Sequence, residues 1–236
     1  MNVRKLLFAI LLTPLLFSRC DTLKEIADGL NTNTLTTAEI AAGLKQALEF
    51  GIAEGAEKLA EVDGYFKSPY KILLPPEARK VTDKLQGIPG FSEVENIILE
   101  KINRGAEEAA KSAKPIFVDA IRAITFQDAL GILMGEKNAA TTYLHAQTYP
   151  QLYAAFHPVI VDALNQFNAI EYWADAVTFY NKIPFVDPVE PELDRYVTER
   201  ALFGLFDMVE KKELKIRTDI SERTTDLLRK VFAKQD

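Results

Sequence analysis

One cysteine, two histidines and one tryptophan in 236 residues are scarcities that each remove a class of chemistry. A lone thiol forms no intrachain disulfide, so the folded body has to hold together by packing. His145 and His157 are the only imidazoles. Their spacing is expected to place them on different helices in structural roles, since neither has a neighbouring group that would orient it as a base. Also missing are a Gly-x-Ser-x-Gly elbow, a phosphate-binding loop, a His-Glu-x-x-His pair and a dinucleotide fingerprint. No cofactor and no metal site are therefore expected. The longest apolar run, Leu6 to Phe17, is about half of the roughly 20 residues that cross a bilayer, and Pro14 interrupts it.

That run does fit an export leader. Arg4 and Lys5 give a positive start, the apolar stretch follows, and Ser18, Arg19 and Cys20 close it without an Ala-x-Ala cleavage site. The pattern resembles a bacterial lipoprotein signal, in which the cysteine becomes the acylated first residue. Phe17 and Arg19 depart from it, standing where Leu and a small residue are usual. The expected organisation is a signal peptide over 1–19, a lipid-anchored tether over 20–35 and one all-helical domain over 36–236. Cys20 is the expected lipidation site, and the location an exported one, in the periplasm or at the outer membrane.

From residue 20 onward, 25 basic residues face 34 acidic ones, a formal charge of −9. Nucleic acid is not an expected partner, because a phosphate-tracking surface needs clustered Lys and Arg. Anionic lipid would repel such a body, so membrane attachment is assigned to the acyl chain on Cys20.

The apolar periodicity is helical almost throughout, with no sustained alternation of the kind a half-buried sheet produces. The fold class is all-α: a single compact bundle of about ten helices, with a short extended segment near 63–76. Asp21 to Asn33 reads as the tether, with a turn of helix near Gly29. Thr36 and Glu39 have capping-box spacing and open a long helix. Its Ile40, Leu44, Leu48, Ile52 and Ala56 recur every four residues, beside a stripe of Gly43, Ala47, Gly51 and Gly55 that lets another helix come close. Gly64, Pro69 and Ile72 to Leu74 suggest an extended piece or short hairpin over the bundle. Ser92 and Glu95 mark another capping box, opening a helix with Val94, Ile98, Ile102, Ala106, Ala109 and Ala113 inward until Pro115 breaks it. Further helices are expected at 116–124, 126–134, 139–146, 151–167, 171–182, 193–211 and 222–232, with Thr125, Gly135, Asn138, Pro150 and Ser221 as caps and stops. Asp187 to Pro191 reads as an extended loop. The mid-chain aromatics, among them Tyr143, Tyr149, Tyr153, Phe156 and Trp173, are assigned to helix packing.

At 100° per residue, Asn103 and Glu107 flank the core stripe of their helix, whereas Arg104 lies about 200° from Ile102 and points away. This geometry suits either the edge of a cleft or a boundary amide beside an Arg104–Glu108 surface pair. Glu213 and Arg217, four apart, are expected to pair.

Four segments carry a family resemblance. They are Asn103-Arg104-Gly105-Ala106-Glu107-Glu108-Ala109; Asp128, Ala129, Ile132, Leu133 and Gly135 running on to Ala139, Ala140, Thr141 and Tyr143; Tyr196, Val197, Thr198, Ala201, Leu202, Gly204, Leu205 and Phe206; and Ile216, Arg217, Val231 and Phe232. From about Leu44 to Phe232 the chain resembles the bacterial family called domain of unknown function 4197, exported and often lipidated proteins. Gly105 stands where that pattern usually has Ala. The resemblance implies an all-helical envelope protein and brings no reaction, cofactor or site with it.

Asn103, Arg104, Glu107, Asp128, Thr141, Tyr143 and Thr198 are the candidate ligand-binding residues, as the polar groups most suited to converge in one pocket. The competing account is that they satisfy helix ends and each other. The expected function is non-catalytic binding of a small polar or amphipathic ligand, or of an envelope protein, by a lipid-anchored body. The alternatives are an enzyme with Glu107 or Asp128 as general base and Arg104 holding an anion, or a scaffold of an envelope complex.

Overall fold

Thr36 and Glu39 close the capping box that their spacing predicts. The Glu39 amide donates to Thr36 Oγ1 at 3.2 Å, and the Thr36 amide donates to Glu39 Oε2 at 2.8 Å. Helix α1 then runs from Thr37 to Ala60. The computed structural model describes residues 35–76, 91–166, 169–182, 184–185, 188 and 192–233. The leader, Cys20, the tether and the loop from Asp187 to Pro191 lie outside the described residues, the loop except for Pro188.

The described chain is all-helical, with no strand. After α1 come α2 (Phe91–Ala110), α3 (Ala113–Ala123), α4 (Phe126–Leu133), α5 (Ala139–Asn165), α6 (Ala169–Asn181), α7 (Leu193–Thr218), a 3-10 turn (Ile220–Glu222) and α8 (Asp226–Phe232). All belong to one packed unit that begins at Thr36. Between α1 and α2, residues 62–70 form a succession of turns and 71–75 run on without regular structure. The extended segment or hairpin expected near 63–76 is replaced by turns over most of its length, with only 71–75 running on without regular structure.

Helix α1 packs against α2, α3, α4, α7 and α8. Its predicted stripe is buried from Ile40 through Ala56, and the small residues beside it admit neighbours as expected. A Cβ on Gly43 would stand 2.5 Å from Val231 Cγ2 of α8, and one on Gly55 would stand 3.3 Å from Met208 Cβ of α7. Helix α5 forms the second axis, packed on α2, α7 and α3. A Cβ on Gly105 of α2 would lie 2.7 Å from Ala163 Cβ of α5, so the absent methyl sets how near these helices lie.

Several boundaries differ from expectation. Pro150 does not stop a helix: α5 is continuous over 27 residues and contains both Pro150 and Pro158. Both prolines are exposed, so the carbonyls they leave unpaired, at Ala146 and Ala154, fall toward water. On the opposite face Ala140, Leu144, Thr148, Leu152, Phe156, Ile160 and Leu164 form an unbroken buried row, and that row holds the two halves together. His145 and His157 consequently share one helix. This fusion leaves eight α-helices among the described residues; the expected count of about ten is not reached.

Pro115 does not end α2 either. The chain breaks at Lys111–Ser112, and Pro115 sits in the first turn of α3, where its missing N–H has no partner to lose. Helix α7 extends seven residues past its expected end to Thr218, and the last helix begins at Asp226, where Thr225 Oγ1 accepts the Leu228 amide.

Candidate functional site

Helix α2 carries Asn103, Arg104 and Glu107 on the side that meets the turns after α1. The Asn103 side chain is fully buried. Its Oδ1 accepts the Ile72 amide at 2.8 Å, while its Nδ2 donates to the carbonyls of Ile72 at 2.9 Å and Leu99 at 2.7 Å. Glu107, also buried, accepts the amides of Tyr65 and Phe66 on Oε1, both at 3.1 Å, and Arg104 Nη1 on Oε2 at 2.8 Å. Arg104 Nη2 reaches Asp63 Oδ1 at 2.7 Å, and the guanidinium lies 5.1 Å from the centre of the Phe66 ring.

These groups brace the 63–72 segment at both ends. Between them Tyr65 is fully buried and donates its hydroxyl to the Ala201 carbonyl of α7 at 2.8 Å. Burial pushes that phenol well above its ordinary range, and the Glu107 charge adds to the effect. Asp63 is held below its usual value by Lys67 first and then Arg104. Gly64 permits the tight return, since a Cβ there would stand 2.4 Å from the Lys58 carbonyl.

Arg104 points outward as its angle predicts, but its pairing differs from expectation. It bonds Glu107 and Asp63, while Glu108 pairs with Lys111. Asp63, 41 positions away, offers no helical register from which the contact follows. Tyr65 was equally hidden, its aromatic ring being one signal among many.

Thr141 belongs to a different construction. The α5 N-cap, Asn138, makes no side-chain capping bond. Glu213 of α7 performs that task from outside the helix, accepting the amides of Ala140 at 3.0 Å and Thr141 at 2.8 Å, and the Thr141 hydroxyl at 2.8 Å. Arg217 pairs with Glu213 at 2.8 Å and donates to the carbonyls of Ile132 at 2.9 Å and Leu133 at 3.1 Å, at the end of α4. The pair expected from four-residue spacing exists and is buried. It fastens the last turn of α4 and the first turn of α5 to α7. Arg223 completes the joint by donating to the Ile216 and Arg217 carbonyls, both at 3.0 Å.

Asp128 and Tyr143 stand together in the open. With Gln127, Gly131, Asn138 and Thr142 they line a cleft of about 520 Å³ between α4 and the start of α5. Thr125 donates to Asp128 Oδ2 from its hydroxyl at 2.6 Å and its amide at 3.0 Å, which holds the carboxyl below its usual range. Partial burial raises the Tyr143 phenol, and the Asp128 charge raises it further.

Thr198 joins none of these sets. Its hydroxyl donates to the Asp194 carbonyl one turn back at 2.7 Å. The seven candidates thus divide among a loop brace, a helix joint, an open cleft and a single helix, and they do not share one pocket.

The histidines are less isolated than expected. His157 Nε2 lies 2.9 Å from Asp194 Oδ2. With His145, Tyr149 and Tyr153 it forms a row of rings four residues apart along α5, successive centres separated by 4.8, 6.4 and 5.4 Å. Phe156 and Trp173 are core residues as expected, whereas Tyr149 and Tyr153 are only half-buried. Among the described residues no three His, Cys, Asp or Glu side chains are grouped to hold a metal ion, and no helix is long and apolar enough to cross a membrane.

Comparison with curated proteins and with solved structures finds no match. A family model does match, over residues 34–233, and with that coverage the chain belongs to the family described as protein of unknown function (DUF4197).

Proposed function

We propose that this chain is an exported, lipid-anchored protein of the cell envelope whose helical body binds a ligand or partner without transforming it. The cleft between α4 and α5 carries the binding reading. It is an open depression in which two of the candidate residues, Asp128 and Tyr143, face outward beside Gln127, Asn138 and Thr142. The non-catalytic reading is supported at Glu107, whose two oxygens are already engaged by two backbone amides and Arg104. A general base needs a lone pair aimed at substrate. The anchor is supported by the leader, with its positive start, short apolar run and Cys20.

Native mass spectrometry of the full chain purified from its own envelope tests both halves. A diacylglyceryl thioether at Cys20 is expected, together with a co-purifying molecule that Tyr143→Ala fails to retain. An unmodified thiol on cytosolic protein overturns the anchor. Chemical conversion of the retained molecule, abolished by Asp128→Asn, replaces binding with catalysis.

A further inference from the structure

We propose that the cleft between α4 and α5 docks a basic amphipathic helix of a partner protein; this rests on the reading of that cleft as the binding site. Helix α4 has two apolar faces. Ala129, Ile132 and Leu133 are buried against the bundle, yet Phe126, Leu130 and Met134 at the C-cap remain 59%, 46% and 65% exposed. Their four-residue spacing lines them up along the outer surface.

Gly131 lines the cleft, and Phe126, Leu130 and Met134 run along the adjoining flank of α4 outside it. A Cβ added there meets nothing within 4 Å, so no internal contact requires a glycine. A helical glycine costs about 1 kcal/mol against alanine, and the bare backbone here leaves room for close approach by another molecule.

Charge selects among possible occupants. The charged groups lining the cleft are Asp128 and Glu136, both acidic, and neither is paired with a Lys or Arg of the described residues. A second copy of this chain at the same face would oppose carboxylates to carboxylates. An anionic bilayer would be repelled likewise. A free polyamine meets the carboxylates and leaves the apolar line uncovered. A helix with Lys or Arg on one flank and apolar residues at four-residue spacing, laid along α4 at the edge of the cleft, meets both surfaces: its apolar row on Phe126, Leu130 and Met134, its backbone near Gly131 and its basic flank toward Asp128 and Glu136.

Fluorescence anisotropy with the full chain tests this. The probes are a labelled Lys/Leu amphipathic helix, the same peptide with Glu for Lys, and a scrambled Lys/Leu peptide. Binding of the first alone is expected. Gly131→Leu, which fills open space, and Glu136→Lys should each weaken it about tenfold or more, while Glu210→Lys, exposed on α7, leaves it unchanged. Equal binding by the scrambled peptide, or no loss in either cleft variant, overturns the proposal. So does a dimer that Gly131→Leu dissociates, or binding of anionic vesicles that it abolishes. If no peptide binds but a molecule retained from the envelope is lost from Gly131→Leu, the cleft stands and the basic helix is wrong. If Gly131→Leu keeps that molecule, the cleft reading itself fails.

Discussion

The side-chain amide of Asn103 bonds both backbone groups of Ile72, accepting its N–H and donating to its C=O. A neighbouring strand would satisfy an extended residue in the same way. Here one buried side chain on α2 does it, which lets a segment without regular structure lie against the bundle with its polar groups paired.

Asn103→Ala removes both partners from Ile72 and is expected to destabilise the fold by about 2–4 kcal/mol. The loss should show in urea unfolding at neutral pH. Limited proteolysis of the native protein should then cut within residues 62–71. A variant that unfolds like the parent and resists cleavage there contradicts the brace.

Arg217→Met strips the buried Glu213 of its counter-charge and frees the Ile132 and Leu133 carbonyls. A loss of about 3–5 kcal/mol is expected. Adding Glu213→Gln should cost less in this background than in the parent, because the buried charge that needed Arg217 is gone. A double-mutant cycle by chemical denaturation measures the coupling, and strict additivity would show that the two side chains act separately.

Gly105→Ala places a methyl 2.7 Å from Ala163 Cβ. Separating α2 from α5 outweighs the gain in helix propensity, so a net loss of about 1–2 kcal/mol is expected. Ala163→Gly should be less harmful with Ala at 105 than with Gly, and a thermal double-mutant cycle reads that coupling.

Glu39 accepts from Lys230 and Thr36, and chiefly through Lys230 its pKa is lowered from 4.5 to about 2. The folded value lies below the unfolded one, so the stabilisation is complete above pH 4.5 and disappears as the pH falls through about 2. Carboxyl NMR should give a Glu39 midpoint near 2, and Lys230→Ala should move it upward. A midpoint at the ordinary Glu value would show the contact absent in solution.

How far the sequence reached depended on whether a signal was local. Periodicity located α1 and its buried stripe because Ile40, Leu44, Leu48, Ile52 and Ala56 report on one face, and the Thr36 and Thr125 caps lie three residues from their partners. Pro150 reads locally as a stop, and it is overridden by a row of seven inward residues spanning both prolines. Asn103 and Glu107 flank the core stripe by angle, and both side chains are buried. Their partners could not be named, since Ile72, Tyr65 and Phe66 come from a segment with no period to fix its position. Glu213 is legible as half of an i,i+4 pair, but not as the cap of a helix whose Ala140 amide lies 73 residues earlier. The unsatisfied Asn138 position gives no trace of this in the sequence.

The joint at Glu213 and Arg217 also bears on recognition. Because one carboxylate and one guanidinium clasp the end of α4 and the beginning of α5 to a third helix, the two walls of the cleft cannot splay independently. On the proposed binding reading, an incoming molecule would meet a preformed wedge, and little conformational entropy would be lost on ordering the protein. Association at that face is then expected to follow rigid-body kinetics, with mutational differences appearing mainly in how fast the complex comes apart.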